Sequence, residues 1–358
     1  MRGLLCGLVM LGSAGTAGAT PAVYGFNFPT WWHDVYSQAE THRSLELMAQ
    51  TGAKWVALVP TWYQTELSDS SFAPTNGTAS DESLRSVIRK AKALGLNPVL
   101  KPHVDAMGKG PRAFISPKDP KAWFTVYRRM AVHYARMAQE EGTPLYIVGT
   151  ELFSLAGFKH RKEWVRVIAE VRAVYSGKIT YAANWYDILL VSFWDKVDYI
   201  GIDGYFPVSG GSNLFLLKMG WRLYLPTIAG LHAAYGKPIL FTEIGLSSQK
   251  GANLKPWEWL EFGDLDLEVQ RAYMQSFIEV FEGHSWFAGL LYWGWETRPD
   301  AGGPKDKSMT VQGKPALDTL KAYFARRNGA RLIAERRLPL PAARERVLRV
   351  AGTVPAFH

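Results

Sequence analysis

The sequence predicts one α/β domain of the (β/α)8 class, the TIM barrel, and three observations carry that prediction. Eight short β-rich runs occur along the chain, each is followed by an amphipathic helical pattern, and the series occupies roughly 300 residues. No G-x-G-x-x-G motif follows the first run, which disfavours the alternative of a doubly wound sheet. The runs are VYGFNF from Val23, KWVALVP from Lys54, NPVLKPHVD from Asn97, PLYIVGTE from Pro144, KITYAANW from Lys178, VDYIGIDGYF from Val197, PILFTEIG from Pro238 and FAGLLYWGWE from Phe287.

The helices between these runs are bounded by glycine. The periodicity of apolar residues predicts helices over residues 81–94, 121–141 and 162–175. A glycine follows each of them within two residues, in the position where a left-handed conformation ends a helix. Strand and helix patterns therefore alternate as a barrel requires.

The two ends of the chain differ in composition from the predicted barrel domain, residues 20–328. Residues 1–19 combine a basic Arg2, a short apolar stretch and a small-residue end at Ala19, as in a cleavable secretory signal. We therefore expect a secreted or periplasmic protein. Its mature chain would lack cysteine, because the single Cys6 lies in the signal. The apolar stretch of the signal is too short to span a bilayer, and no other segment is predicted to span a membrane.

The net charge of +9 is concentrated in the C-terminal tail, residues 329–358, and just before it. Residues 325–358 contain eight Arg and two Glu, and Arg2 adds one positive charge, which leaves about +2 for the barrel region. The tail lacks the interleaved aromatic residues of a strand-binding surface, so we predict no nucleic-acid partner. We expect a monomer.

Two glutamates end apolar runs. Glu151 in VGTELFS ends the fourth run, and Glu243 in FTEIGLSS ends the seventh. Active sites of barrels lie at the carboxyl ends of the strands, so both glutamates are predicted to face one mouth. Hydrolysis of a glycoside needs two carboxyl groups that flank the scissile bond. The alternative is that each glutamate is an ordinary ion-pair partner at a strand end.

The phrases VGTELFS, GIDGYFP, FTEIGLSS and LYWGWE resemble glycoside hydrolase family 113, within clan A of the retaining glycoside hydrolases. Characterised members of that family are mainly endo-acting β-mannanases. The resemblance covers nearly the whole barrel. It implies a double displacement on β-1,4-mannan or a related β-mannoside or glucomannan, with Glu151 as general acid/base and Glu243 as nucleophile.

The same resemblance suggests roles for three further residues. Tyr205 resembles the clan tyrosine that hydrogen-bonds the nucleophile, and Trp293 resembles the tryptophan beneath the reacting sugar. Much of the clan has Asn immediately before the acid/base, where it contacts the sugar 2-hydroxyl. This chain has Thr150 there, whose shorter hydroxyl cannot reproduce the contacts of an amide.

Aromatic and polar residues at the strand ends are candidates for binding a polysaccharide or oligosaccharide. The apolar C–H faces of sugars stack on aromatic rings, and sugar hydroxyls need hydrogen-bond partners. For each residue the alternative is a place in the core or a structural hydrogen bond. The candidates are Asn27, Trp31, Trp62, Lys101, His103, Thr150, Asn184, Trp185, Asp203, Tyr205 and Trp293.

Three other functions compete with this interpretation. A metal-dependent barrel hydrolase is disfavoured, because the first strand has no H-x-H and the chain has no H-E-x-x-H motif. We therefore predict no metal site and no cofactor. A catalytically silent carbohydrate-binding barrel is disfavoured by the presence of both glutamates. A hydrolase of another β-glycan is the third alternative.

Overall fold

The computed structural model describes residues 22–260 and 262–337, and ten strands lie in these ranges. They are β1 (Val23–Pro29), β2 (Trp55–Val59), β3 (Thr61–Gln64), β4 (Asn97–Leu100), β5 (His103–Ala106), β6 (Leu145–Thr150), β7 (Lys178–Asn184), β8 (Ile200–Asp203), β9 (Ile239–Ile244) and β10 (Phe287–Tyr292). Eight of them form a closed parallel barrel in the order β1-β10-β9-β8-β7-β6-β4-β2. The predicted (β/α)8 barrel is confirmed as a single domain.

Helices connect the strands on the outside of the barrel. They are α1 (Ala39–Gln50), α2 (Asp81–Ala93), α3 (Pro120–Glu140), α4 (Phe153–Ala156), α5 (Arg161–Arg172), α6 (Leu214–Tyr235), α7 (Leu267–Phe281) and α8 (Pro315–Arg337). The predicted helices coincide with α2, α3 and α5. The side chain of Ser80 caps α2 by accepting a hydrogen bond from the Ser83 amide at 3.2 Å, and Gly95 follows with a φ of 75°.

A small sheet of β3 and β5 extends the barrel above β2 and β4 and was not predicted as a separate element. Leu58 pairs with Leu100 and Thr61 pairs with His103, so the register continues from one sheet to the other. Hydrogen bonds cross the break at Pro60, because the Lys101 amide donates to the Leu58 carbonyl and the His103 amide donates to the Pro60 carbonyl, each at 2.9 Å. The extension forms one wall of the barrel mouth.

Alternate residues of the barrel strands face opposite sides, which separates two layers of core. One layer packs the outer face of the barrel against the helices. The other closes the barrel interior and is made of Val23, Trp55, Ala57, Val99, Leu145, Ile147, Ala182, Tyr199, Leu240, Ala288 and Leu291. The interior is therefore a packed apolar plug and not a pore.

The predicted terminal segments fall largely outside the described residues. The predicted signal, residues 1–19, lies entirely outside them, as does the tail beyond Arg337. Helix α8 continues to Arg337, past the predicted domain boundary at residue 328. In the two described ranges, no helix is long and apolar enough to span a membrane.

Candidate active site

The barrel interior changes from apolar to polar toward the carboxyl ends of the strands. Above the apolar plug, the inward positions of β1, β7, β8 and the residue after β4 are Asn27, Asn184, Asp203 and Lys101. All four side chains are buried. Buried polar groups are costly unless they are paired, so their concentration at one end marks a site.

Both glutamate-bearing strands contain one extra residue just before the glutamate. In β9, the partners of Ile202 and Asp203 are Phe241 and Glu243, so the strand bulges at residue 242. In β6, the register against β7 shifts in the same way between Ile147 and Thr150. Bulges re-aim side chains and are frequent beside active sites.

Gly149 makes the bulge in β6 possible. A Cβ atom at this position would lie 2.7 Å from both the Trp164 ring and the Tyr127 hydroxyl, closer than side-chain atoms approach one another. Glu151 follows with a φ of 56°, a left-handed conformation that is rare for glutamate and that strained functional residues adopt. Its amide donates to the Ala182 carbonyl at 2.7 Å, which fixes the backbone.

The carboxyl group of Glu243 accepts hydrogen bonds from two donors. Lys101 donates to Oε1, and the Tyr205 hydroxyl donates to Oε2 at 2.6 Å. Burial and the charge of Glu243 raise the pKa of Tyr205 well above its usual value, so the phenol stays a donor. Charge-assisted bonds of this kind favour a carboxylate over a carboxylic acid.

Lys101 lies between two carboxyl groups in the floor of the site. Its fully buried Nζ bonds Glu243 and is 3.6 Å from Asp203 Oδ1, which also accepts a 2.7 Å hydrogen bond from Thr242. Burial, and then the charge of Glu243, raise the pKa of Asp203 well above its usual value. One buried cation thus balances Glu243, and Asp203 is favoured in its neutral form.

Glu151 lies in a different electrostatic environment from Glu243. Burial is the largest cause that raises its pKa to about 7, and the charge of Glu243 raises it further. Arg112, whose Nη1 is 3.2 Å from Glu151 Oε2, and Lys101 act in the opposite direction. Glu151 is therefore mostly protonated in mildly acidic solution and loses its proton as the pH rises through about 7.

The environment of Lys101 predicts that its removal destabilises the fold. In Lys101→Met the buried charge of Glu243 loses its cation, and we expect the free energy of unfolding to fall by about 3–5 kcal/mol. Urea unfolding at pH 7 measures the change. Lys90→Met, which breaks the surface pair with Glu46, is the control and should have a much smaller effect. Equal effects of the two changes would contradict this account.

The aromatic candidates lie in different parts of the mouth. Trp293 is partly exposed, stacks on His103 with 6.2 Å between ring centroids, and has Lys101 Nζ at 5.6 Å from its ring. Trp185 is also partly exposed, whereas Trp31 is largely open to solvent. Trp62 in β3 is partly buried and donates through its indole nitrogen to the Tyr134 hydroxyl at 2.9 Å.

The polar candidates include several buried atoms that have no hydrogen-bond partner within the described part of the chain. They are Asn27 Oδ1, His103 Nε2, Thr150 Oγ1, Asn184 Nδ2 and Asp203 Oδ2. Asn27 uses its amide nitrogen to donate to the carbonyls of Thr242 and Leu291, which ties β1 to β9 and β10. Burial, with the charges of Arg112 and Lys101, lowers the pKa of His103 well below its usual value, so its ring is neutral.

Sequence reasoning assigned no catalytic or substrate-binding role to four residues of this region. Arg112 and Asp105 form an ion pair of 2.7 Å beside Glu151. Trp257 stacks on Trp185 with ring centroids 6.1 Å apart. Burial and Asp203 raise the pKa of Asp187 to about 8. Trp257 carried a signal as an aromatic residue in the loop after β9, and Asp105 carried one as the acidic end of the run NPVLKPHVD. An arginine in the PRAFIS loop carries none.

Over residues 22–260 and 262–337, no group of three or more His, Cys, Asp or Glu side chains is arranged to hold a metal ion.

The barrel mouth holds two neighbouring carboxyl groups in unlike environments. Glycoside hydrolysis requires such a pair. Comparison with known proteins identifies the chain as a glycoside hydrolase. The family model of Glycoside Hydrolase Family 113 matches residues 24–314, and the chain belongs to this family. The resemblance to this family, which four short sequence motifs indicated, is confirmed. No curated protein sequence matches the chain.

Solved structures of the same family are similar over nearly their whole length. A GH113 β-1,4-mannanase in a complex structure is 28% identical, with a TM-score of 0.78 over 85% of this chain and 99% of that chain. The GH113 β-mannanase AaManA from Alicyclobacillus acidocaldarius is 27% identical, with a TM-score of 0.78 over 86% and 98%. A β-glucuronidase from Ruminococcus gnavus, 14% identical with a TM-score of 0.57 over 85% and 50%, shares the fold.

Proposed function

We propose that this glycoside hydrolase cleaves β-1,4-mannan, or a related β-mannoside or glucomannan, by a retaining double displacement. The observation that carries the proposal is the contrast between the two glutamates. Glu243 accepts hydrogen bonds from Lys101 and Tyr205 and suits a nucleophile, whereas the pKa of Glu151, raised to about 7, suits a general acid. The β-mannanases of similar structure support mannan as the substrate.

The first step forms a covalent glycosyl-enzyme. A Glu243 carboxylate oxygen attacks the anomeric carbon while Glu151 gives its proton to the glycosidic oxygen, and the carbon–oxygen bond to the leaving sugar breaks. In the second step Glu151, now ionised, takes a proton from water. The water oxygen bonds the anomeric carbon, Glu243 leaves as a carboxylate, and Glu151 is again protonated.

The remaining predicted residues are proposed to bind the substrate around this pair. Sugar hydroxyls would give partners to the buried polar atoms of His103, Thr150 and Asn184, for which the protein supplies none in the described ranges. The base of the binding site would be formed by the buried side chains of Lys101, Asp203 and Asn27. Tyr205 would orient Glu243. The aromatic faces proposed to stack on sugars are those of Trp31, Trp62, Trp185 and Trp293.

The mechanism predicts that the first product keeps the β configuration. Two displacements at one carbon restore the original configuration, whereas direct attack by water inverts it. Proton NMR of a mannan-oligosaccharide digest, recorded before mutarotation, distinguishes the two. An initially α product from the β-linked substrate would overturn the mechanism.

A reducing-sugar assay across mannan, glucomannan, cellulose, xylan and chitosan tests the substrate. We expect reducing ends from mannan and glucomannan. Release only from one of the other polymers would make the protein a hydrolase of another β-glycan. Glycan binding without any release would indicate the catalytically silent barrel. The secretory signal predicted over residues 1–19 fits a polymeric substrate outside the cytoplasm.

A further inference from the structure

Arg112 reaches the carboxyl group of Glu151 from the wall that β3 and β5 build above the barrel. It begins a short helical turn, Arg112–Phe114, that follows β5. Its Nη1 is 3.2 Å from Glu151 Oε2, and its Nε is 2.7 Å from Asp105 Oδ1. The guanidinium group thus joins a carboxylate of the wall to the proposed acid/base.

The backbone around Arg112 is fixed from both sides. Asp105 lies in β5, which pairs with β3. The carbonyl of the next residue, Ala113, accepts a 3.0 Å hydrogen bond from Ser154, three residues after Glu151. Ala113 and Ile115 are buried. These contacts connect the backbone around Arg112 to the segment that follows Glu151. The guanidinium group is therefore held in place beside Glu151 and is not part of a mobile surface side chain.

We propose that Arg112, held by Asp105, is a positioning residue for Glu151. Its guanidinium group fixes the orientation of the carboxyl group and compensates the negative charge that Glu151 carries between the two steps of the reaction. This inference rests on the proposed function, because it assumes that Glu151 loses and regains a proton in each cycle.

The charges of the site change in a way that gives Arg112 this role. Before reaction Glu243 is negative and Glu151 neutral. After Glu151 has donated its proton and the Glu243 oxygen has bonded the anomeric carbon, Glu243 is a neutral ester and Glu151 is negative. Lys101 bonds Glu243 and lies beside Asp203, whereas Arg112 contacts Glu151 directly. Arg112 is therefore the cation placed to stabilise the ionised acid/base.

Arg112→Gln should slow the second step more than the first. We expect kcat on an aryl β-mannobioside with a good leaving group, for which the second step limits the rate, to fall about tenfold. The value of kcat/KM on this substrate should change much less, because it reports only the first step, which needs no proton from Glu151. Initial rates over a range of substrate concentrations measure both constants.

The pH profile separates positioning from a merely structural role. On mannan oligosaccharides, kcat/KM should fall at alkaline pH as Glu151 loses its proton, and this fall is the alkaline limb of the profile. The positive charge of Arg112 lowers the pKa of Glu151, so Arg112→Gln should move the alkaline limb to higher pH. Asp105→Asn removes the negative charge that partly balances Arg112. The pKa of Glu151 should then fall, and the alkaline limb should move to lower pH. Arg112→Lys keeps the charge and should recover most of the lost kcat.

Arg128→Gln is the matched control. Like Arg112, Arg128 on α3 pairs with two acidic side chains, and its own side chain is as exposed as that of Arg112, at 17%. The Arg128→Gln change should leave kcat and the pH profile of kcat/KM unchanged. A folded Arg112→Gln enzyme with the kcat and pH profile of the wild type overturns the proposal. If Arg112→Gln does not fold, an Asp105→Asn enzyme with the wild-type pH profile overturns it. Failure of the proposed function would appear separately, as an inactive wild-type enzyme.

Discussion

Glu243→Gln is expected to lower kcat/KM on mannan oligosaccharides by about four orders of magnitude or more, while the protein stays folded. The amide cannot form the glycosyl ester, and no other described carboxylate shares the hydrogen bonds from Lys101 and Tyr205. A better leaving group should not rescue the variant, because the missing step is attack and not departure. Initial rates on a natural and on an activated substrate measure the loss.

The control for this change is Glu82→Gln. Glu82 is an exposed glutamate in the first turn of α2, on the outside of the barrel, and its replacement should leave the rate unchanged. Tyr205→Phe removes only one donor from Glu243 and should cost about tenfold to a hundredfold. Turnover by Glu243→Gln within tenfold of wild type would show that another group is the nucleophile.

The barrel was predictable because its signals are local and repeated. Each of the eight predicted runs contains a barrel strand, and glycines such as Gly95 and Gly142 end the predicted helices in a left-handed conformation. The small sheet of β3 and β5 was missed as a separate element. The run NPVLKPHVD reads as one strand, but Pro102 divides it, and the short TWYQ partner has no apolar run of its own.

The two glutamates were predictable for the same reason, since each ends an apolar run on a strand of the expected number. Their catalytic roles stay predictions that the variants test. The features that give the two glutamates different environments were not predictable from the sequence. The bulges before Glu151 and Glu243 appear only when the register of neighbouring strands is known, and the contacts of Lys101 and Arg112 join residues distant in sequence.

The bulges and the charges act together on the chemistry. A regular strand would send adjacent side chains to opposite faces, so an extra residue is a simple way to aim both Thr242 and Glu243 at the site. Thr242 bonds Asp203 and Glu243 bonds Lys101, so neighbouring residues of β9 contribute to one network.

Glu151→Gln is expected to lower kcat/KM on mannan oligosaccharides by about a hundredfold to ten-thousandfold, the usual contribution of a general acid. The glutamine amide cannot give a proton to the glycosidic oxygen. An aryl mannobioside with a good leaving group needs no such proton, so on that substrate the first step should be almost unaffected. The glycosyl-enzyme should then accumulate, because no base activates water, and mass spectrometry should detect it on Glu243.

The pH dependence gives the same variant a second test. Glu151 acts as an acid only when protonated, and its pKa is raised to about 7, so wild-type kcat/KM should fall as pH rises through that value. The sign follows from burial and from the charge of Glu243, both of which disfavour ionisation. The residual activity of Glu151→Gln on mannan oligosaccharides, whose leaving group needs the proton, should lack this alkaline limb. A variant that keeps the limb would assign it to another group, and equal losses on natural and activated substrates would remove Glu151 from the role of acid.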